Sequence, residues 1–215
     1  MRFRRKKHLD DRLAVCSDVI IYDIENFNNN INSVFENNNP VCMEIGCGKG
    51  RFILETAARN PDTNYIAVEK NMNALLLAAE KIKDAGLSNV KFIAGDVNML
   101  RNFETSTKCE IIYINFCDPW HKGAYRRRRL THSNHLALWE RLLKPNGEIH
   151  FKTDNQNLFE FSLNSFLEYD MKLRNITFDL HSSGFEGNIV TEYEQFFSEK
   201  GQPIYRCEAI FRTKE

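Results

Sequence analysis

Short apolar runs alternate with longer segments of helical periodicity along most of the chain. The run 109–116 is almost continuously apolar, which is typical of a parallel strand buried on both faces. Helices are predicted after the glycine-rich segment 46–50, from an Asn71 cap to Gly86, over 133–143 and over 155–167. The runs predicted as strands are 41–45, 63–69, 90–94, 109–116, 148–153 and 204–212, with a turn at 144–147.

This alternation predicts an α/β fold. Strands separated by helices favour a Rossmann-like, doubly wound and mostly parallel sheet, which we expect to have seven strands and helices on both faces. The length of 215 residues suits one well-buried domain, and no linker rich in Pro, Gly or Ser divides it. We therefore expect residues 1–215 to form a single domain with a basic N-terminal arm at about 1–12. Segment 17–24 is expected to pack against the core, and the asparagine-rich segment 26–39 to form a polar loop or short helix.

Composition and charge place the chain among ordinary globular proteins. Its hydrophobic fraction is 42%, its charged fraction is 27% and its formal net charge is 0. No apolar run reaches the roughly 18 residues that a membrane helix needs, and no secretory segment follows the basic start, so we expect a cytoplasmic protein without a membrane partner. The six cysteines form no C-x-x-C pair, which favours structural thiols, and no metal site is predicted.

The segment 40–50 carries the first chemical signal. An apolar strand runs into Glu44 and then into Gly46, Gly48 and Gly50, which permit a tight turn and a close approach of backbone to a ligand. The spacing is G-x-G-x-G, unlike the G-x-G-x-x-G of dinucleotide sites. A carboxylate at Glu44 would repel a pyrophosphate but attract a cationic amino group, such as that of S-adenosyl-L-methionine. The alternative is a glycine-rich turn that only packs a helix on a sheet.

Acidic residues recur at the ends of the predicted strands. Ligands bind at the carboxyl ends of the strands in such sheets, so these carboxylates are predicted to gather around a cofactor. Glu69 lies about twenty residues after the glycines and suits ribose hydroxyls, and Asp96 suits the adenine side. The ribose feature is shared by nicotinamide-dependent oxidoreductases, which remain an alternative. The predicted cofactor-binding residues are Glu44, Gly46, Gly48, Gly50, Glu69, Asp96 and Asp118.

The segment 115–130 reads N-F-C-D-P-W-H-K-G-A-Y-R-R-R-R-L and resembles the bacterial, single-chain tRNA (guanine-N7)-methyltransferase family. The resemblance covers nearly the whole chain and departs from the family pattern at Cys117 and His121, where the family has proline, and at the less basic 123–125. Further matching segments are 44–50, 68–69, 143–147, 152–154 and 191–194.

The resemblance implies transfer of the methyl group of S-adenosyl-L-methionine to N7 of a guanosine in tRNA. N7 carries a free lone pair, so the reaction needs positioning and no general base. Asp118 is the predicted catalytic residue, because a fixed carboxylate stabilises positive charge that moves towards the purine and selects guanine by its N–H groups. The implied substrate-binding residues are Lys122, Asp154, Thr191 and Glu194, and the predicted tRNA-binding residues are Arg126, Arg127, Arg128 and Arg129.

Several alternatives stay open in the sequence. Residues 191–194 also fit an ordinary helix cap, and Trp120 either stacks on a base or packs the loop onto the sheet. The basic run can equally be a solvated face. The whole chain can also be a non-enzymatic RNA-binding module, or a methyltransferase with another acceptor. We expect a monomer or homodimer without an obligate protein partner.

Overall fold

The computed structural model describes residues 6–24, 30–103 and 105–212, and gives no side-chain placement for residue 102. These residues divide into two compact units, one ending at Lys108 and one beginning at Cys109. Residues 1–5 of the predicted arm and 26–29 of the asparagine-rich segment lie outside the described residues. None of the described helices combines the length and apolarity that crossing a membrane requires.

The first unit pairs four parallel strands in the order β1-β4-β3-β2. Every residue of β2 and β3 is buried, and α3 turns Leu75, Leu76 and Ile82 into the interior, the apolar face that its periodicity predicts. The Asn71 side chain accepts hydrogen bonds from the first amides of α3, so the predicted cap is confirmed. The elements are α1 (Leu9–Val15), β1 (Ile20–Ile21), β2 (Val41–Ile45), α2 (Arg51–Arg59), β3 (Asn64–Glu69), α3 (Met72–Asp84) and β4 (Val90–Ala94).

The second unit pairs its strands in the order β5-β6-β8-β7, the first pair parallel and the other two antiparallel. Its interior is aromatic: Phe151 of β6 contacts Phe159 and Phe166 of the following helix, with ring centroids 6.2 and 6.3 Å apart. The elements are β5 (Cys109–Asn115), α4 (Ser133–Leu142), β6 (Leu143–Thr153), α5 (Gln156–Glu168), β7 (Lys172–Thr177), α6 (Glu192–Ser198) and β8 (Tyr205–Ile210).

The α/β class and the mainly parallel pairing are confirmed, and the described residues form eight strands where seven were predicted. The arm is also shorter than predicted, because its end folds into α1, where the Arg12 guanidinium donates to both oxygens of Glu80 on α3 at 2.8 and 2.7 Å.

The predicted turn 144–147 lies within β6 rather than before it. Leu143 pairs with Cys109, and pairing resumes only between Glu148 and Ile111, so four residues bulge opposite one. Asn146 adopts a φ of 60° there, a left-handed conformation that Asn tolerates better than most residues.

Candidate functional site

The glycine loop after β2 uses its glycines for two different reasons. Gly46 and Gly48 have φ values of 78° and 58°, and a Cβ built on either one meets no atom within 4 Å, so their backbone faces open space. Gly50 has a φ of 79°, but a Cβ there lies 2.6 Å from Cβ of Ala78. Gly50 therefore permits α2 to begin tightly against α3, whereas Gly46 and Gly48 leave the backbone accessible to a ligand.

Glu69 joins the glycine loop to the beginning of α3. Its two carboxylate oxygens accept hydrogen bonds from the amides of Gly48, at 2.9 Å, and Asn71, at 2.7 Å. The residue is only 8% exposed. Since an ionised carboxylate offers about four acceptor sites, two lone pairs are left for the hydroxyls of a ribose.

Three predicted cofactor carboxylates lie at one edge of the first unit. Glu44 and Glu69 lie at the ends of β2 and β3, and Asp96 begins the turn after β4, so all three share the carboxyl edge of neighbouring parallel strands. Glu44 is buried, whereas Asp96 is exposed and accepts a hydrogen bond from the amide of Asn98 at 2.9 Å. Open backbone at two glycines, with three carboxylates along the same edge of the sheet, fits a ligand that carries a cationic amino group and ribose hydroxyls.

In the second unit, Asp118 lies on a tightly bent loop just after β5 and is exposed. Phe116 and Trp120 flank it with φ values of 52° and 45°, a conformation that costs a non-glycine residue about 1–2 kcal/mol. Strained backbone of this kind persists only where surrounding contacts fix it. The conformation of the loop that carries Asp118 is therefore fixed by contacts with other parts of the chain.

Arg129 supplies that constraint. Its guanidinium donates to the carbonyl oxygens of Pro119, at 2.9 Å, and Trp120, at 3.4 Å, and lies 4.4 Å from the ring centroid of Phe161. The side chain is buried at 7% exposure, and burial followed by the nearby Arg126 lowers the pKa of Arg129. This arginine belongs structurally to the Asp118 loop.

The other three arginines of the predicted tRNA-binding run are exposed. Arg128 lies over Trp120 and Tyr125, at 5.0 and 4.8 Å from the two ring centroids. Trp120 is half-buried in this group and contacts Tyr125 edge-on at 5.9 Å. The sequence run of four arginines therefore divides into three solvent-facing cations and one buried one.

Cys117 is the residue next to Asp118. Burial, followed by the charge of Asp118, raises the pKa of the Cys117 thiol to about 12. The group is thus protonated at neutral pH, which is the form that lacks nucleophilic reactivity. The Cys117 thiol is therefore not a reactive nucleophile of this loop.

Thr191 and Glu194 lie in a buried network. Thr191 accepts a hydrogen bond from the Glu194 amide at 3.0 Å, which completes a capping box at the start of α6. The Glu194 carboxylate is fully buried and accepts from Lys152 at 2.5 Å and Asn188 at 2.6 Å, with His181 at 3.1 Å. The helix-cap interpretation of 191–194 is confirmed, and substrate contact by these two residues stays a prediction.

The remaining two predicted substrate residues differ in environment. Lys122 is exposed just before the arginine run. Asp154 follows β6 and is half-buried, and this burial raises the pKa of its carboxyl group despite a backbone hydrogen bond that lowers it. A raised pKa on a carboxyl group at a strand end is typical of functional positions, although structural sites show it too.

One group of side chains in the described residues has the donor types of a metal site: Glu148, His150 and Glu208. Arg174 donates to both carboxylates, and Arg206 donates to Glu208 at 2.5 Å. Burial opposes ionisation of Glu208, but the hydrogen bonds from Arg206 and Arg174 outweigh it and lower the pKa of Glu208 to about 2. Two guanidinium groups already supply the countercharge, so we assign this cluster to ion pairing between β6, β7 and β8.

Several residues of these networks were assigned no role by sequence reasoning. Phe161 lies beneath the arginines and Lys152 holds α6 through Glu194, and their roles depend on contacts between distant segments. A usable signal existed in α6, where aromatic residues recur at 193, 196 and 197 beside polar positions.

Comparison with solved structures shows which fold the chain adopts. The 16S rRNA methyltransferase KamB matches with a TM-score of 0.64 at 13% identity, over 90% of this chain and 95% of that chain. At this identity the likeness concerns the fold alone. The fold is that of the class I methyltransferases.

Comparison of sequences is more specific. A family model described as "Putative methyltransferase" matches residues 38–207. The tRNA (guanine-N(7)-)-methyltransferase of Halalkalibacterium halodurans is 45% identical over 100% of this chain and 98% of its own length. The enzyme of the same name from Bacillus subtilis is 45% identical over 99% of this chain and 100% of its own length.

The chain belongs to the tRNA (guanine-N(7)-)-methyltransferase family. Membership sets aside the nicotinamide-dependent oxidoreductase and the non-enzymatic RNA-binding module. The cofactor of this methyltransferase family is S-adenosyl-L-methionine.

Proposed function

We propose that the protein transfers the methyl group of S-adenosyl-L-methionine to N7 of a guanosine in tRNA. The observation that carries this proposal is Asp118, held at the end of β5 on a strained loop by Arg129, in a chain about 45% identical to curated tRNA (guanine-N(7)-)-methyltransferases. S-adenosyl-L-methionine, when bound, supplies an electrophilic methyl group on a sulfonium. The acceptor N7 has a free lone pair, so no residue of the chain is needed as a general base.

The first unit supplies the cofactor site in this proposal. Gly46 and Gly48 offer open backbone, and Glu69 offers its remaining lone pairs to ribose hydroxyls. Glu44 is the counterion for the cationic amino group, and Asp96 lies on the adenine side. The packing role of Gly50 limits its contribution to holding the loop and α2 in place.

The second unit supplies the guanosine site. Asp118 accepts hydrogen bonds from guanine N1–H and the exocyclic amine, a pair of donors that adenine lacks. The same carboxylate stabilises the positive charge that the purine acquires during transfer. Asp118 also remains a proposed cofactor contact, and Lys122 and Asp154 are the proposed partners for the rest of the nucleoside. Thr191 and Glu194 are both buried at the start of α6, and their contact with the guanosine remains part of the proposal.

The exposed cations Arg126, Arg127 and Arg128 are the proposed contacts to the phosphate backbone of tRNA, and the exposed Lys6 and Lys7 of the basic arm are further candidates for such contacts. Arg129 is left out, because its guanidinium is buried against backbone carbonyls. That residues 1–215 act as one catalytic domain stays part of the proposal. We propose a cytoplasmic monomer or homodimer.

The test is to incubate purified protein with tRNA and S-adenosyl-L-methionine, digest the RNA and detect N7-methylguanosine by mass spectrometry. Asp118→Asn keeps the shape and removes the charge, so kcat should fall about ten- to a hundredfold, the value of one charge-assisted hydrogen bond of roughly 1.5–3 kcal/mol. Its affinity for S-adenosylhomocysteine, measured by calorimetry, should change much less.

Glu69→Ala is the matched contrast, since it should abolish measurable cofactor binding. A wild-type protein that methylates tRNA elsewhere than N7, or not at all, would refute the function. Full activity of Asp118→Asn would refute the assigned role of that carboxylate while leaving the reaction in place.

A further inference from the structure

An aromatic platform, formed by Phe116, Tyr193, Phe196 and Phe197, lies next to the Asp118 loop. The rings of Phe116, Tyr193 and Phe197 are nearly parallel, with interplanar angles of 19°, 13° and 24° and all three centroid separations 6.4 Å. Phe196 contacts Phe197 edge-on at 5.2 Å. Three parallel rings with equal mutual separations cannot form one column, so each leaves part of its face uncovered by the others.

Two rings of the platform are exposed to solvent, which is unfavourable for large aromatic side chains. Tyr193 and Phe196 are 52% and 51% exposed, whereas Glu194 of the same helix is fully buried. Aromatic side chains of this size are usually packed, and exposed clusters mark binding surfaces. Lys200 places its ammonium 3.7 Å from the Phe196 centroid, which adds a cation at the edge.

One covalent and one polar connection tie the platform to the acceptor site. Phe116 is two residues before Asp118, and its amide donates to the carbonyl oxygen of Lys152 at 2.8 Å. The Lys152 ammonium in turn holds Glu194 of α6 at 2.5 Å. The rings are therefore fixed to the same strand end that presents the catalytic carboxylate, by contacts that the burial of Glu194 protects from water.

We propose that the aromatic platform stacks an unpaired nucleobase of the tRNA substrate. This inference rests on the proposed function, because a guanine that donates its N1–H and exocyclic amine to Asp118 cannot be base-paired, and taking a base out of its stack exposes the faces of the neighbouring bases. An aromatic face replaces such a stacking partner without regard to base identity. Edge cations such as Lys200 favour a phosphate-bearing ligand over a purely apolar partner.

Stacking and phosphate binding differ in their response to salt, which makes the platform testable. Removal of an aromatic ring that stacks on a base weakens binding equally at all salt concentrations, whereas removal of a phosphate-binding cation lowers the slope of log affinity against log salt. The variant Tyr193→Ala/Phe196→Ala should bind tRNA at least about fivefold more weakly, up to about 150-fold, with an unchanged slope. Its KM for tRNA should rise with it, and its affinity for S-adenosylhomocysteine should stay at the wild-type value.

Tyr193→Phe/Phe196→Tyr is the matched control, because it keeps both rings and should retain wild-type tRNA affinity. Wild-type production of N7-methylguanosine is measured first, and its absence refutes the proposed function separately, since the binding comparison does not depend on turnover. Unchanged tRNA affinity in the double-alanine variant overturns the platform. A change from dimer to monomer in sedimentation with unchanged tRNA affinity also overturns it, because the rings then join two copies of the chain.

Discussion

Replacing Arg129 with lysine separates the two roles proposed for the run of four arginines, which are support of the Asp118 loop and binding of tRNA phosphates. Lysine preserves the charge but has no planar fork, so it cannot donate to both Pro119 and Trp120 and also place a guanidinium over Phe161. The expected result is a misplaced Asp118 loop in a protein whose net charge is unchanged. Arg127→Lys, the same substitution at an exposed neighbour, is the control.

The magnitude follows from the interactions that lysine cannot make. One charge-assisted hydrogen bond in a partly buried setting is worth about 1.5–3 kcal/mol, and the guanidinium–ring contact about 0.5–2 kcal/mol. Only the interactions that fix the position of the Asp118 loop lower the energy of the transition state. We therefore take the free energy of one hydrogen bond as the expected increase in the activation barrier. At about 1.4 kcal/mol per factor of ten, kcat should fall about ten- to a hundredfold.

The assay is steady-state methylation of tRNA combined with tRNA affinity across a salt series. Arg129→Lys should lower kcat and leave the salt slope at the wild-type value, whereas Arg127→Lys should change neither by more than about twofold. Arg127→Ala should flatten the slope by about 0.9 for each duplex phosphate that the side chain neutralises in the wild type, or somewhat less for a single strand. Equal kcat values for the two lysine variants, or a flattened slope in Arg129→Lys alone, would refute the assignment of Arg129 to the loop.

Two further predictions concern stability. Gly50→Ala should lower the free energy of unfolding, measured in urea, by about 2–5 kcal/mol, because the positive φ costs about 1–2 kcal/mol and overpacking against Ala78 about 1–3 kcal/mol. Gly86→Ala has open space at its Cβ and should show only the cost of the positive φ, so equal destabilisation of the two variants would contradict this prediction. Glu208 has a pKa lowered to about 2 from 4.5, so its contribution is present above about pH 4.5 and disappears as pH falls towards 2. Over that window the unfolding free energy of the wild type should fall by up to roughly 3 kcal/mol more than that of Glu208→Gln, and identical pH profiles would show that the pairing contributes nothing.

Most of the fold was predictable because buried parallel strands have a strong local signature. The strands 41–45 and 90–94 coincide with β2 and β4, and the Asn71 cap was recognised from side-chain chemistry alone. β7 was missed because it is largely exposed and polar, with only weak apolar alternation. β1 was missed because two residues are too short to show any period.

The candidate site was predictable in its residue types and less so in their environments. Charge at a strand end is visible in the sequence, and Glu44, Glu69 and Asp96 lie at one edge as the topology requires. Burial is decided by distant segments, so nothing local distinguished the buried Arg129 from the exposed Arg127. The same holds for Glu194, whose partners Lys152 and His181 lie 42 and 13 positions away in the chain.

The bulge within β6 is a place where residues can be inserted or deleted without changing the pairing of the rest of the strand. Residues 144–146 are exposed and outside the ladder, whereas pairing from Glu148 onwards is regular against β5 and β8. An inserted or deleted residue would be absorbed in the bulge, at some local cost since Gly147 packs against Leu143. The alternation of side chains between the two faces of β6 sets the directions of Lys152 and Asp154. This alternation is therefore unaffected by a change in length at the end of the preceding helix. Homologous chains can therefore differ in length at this junction and keep the same residues of β6 facing the candidate site.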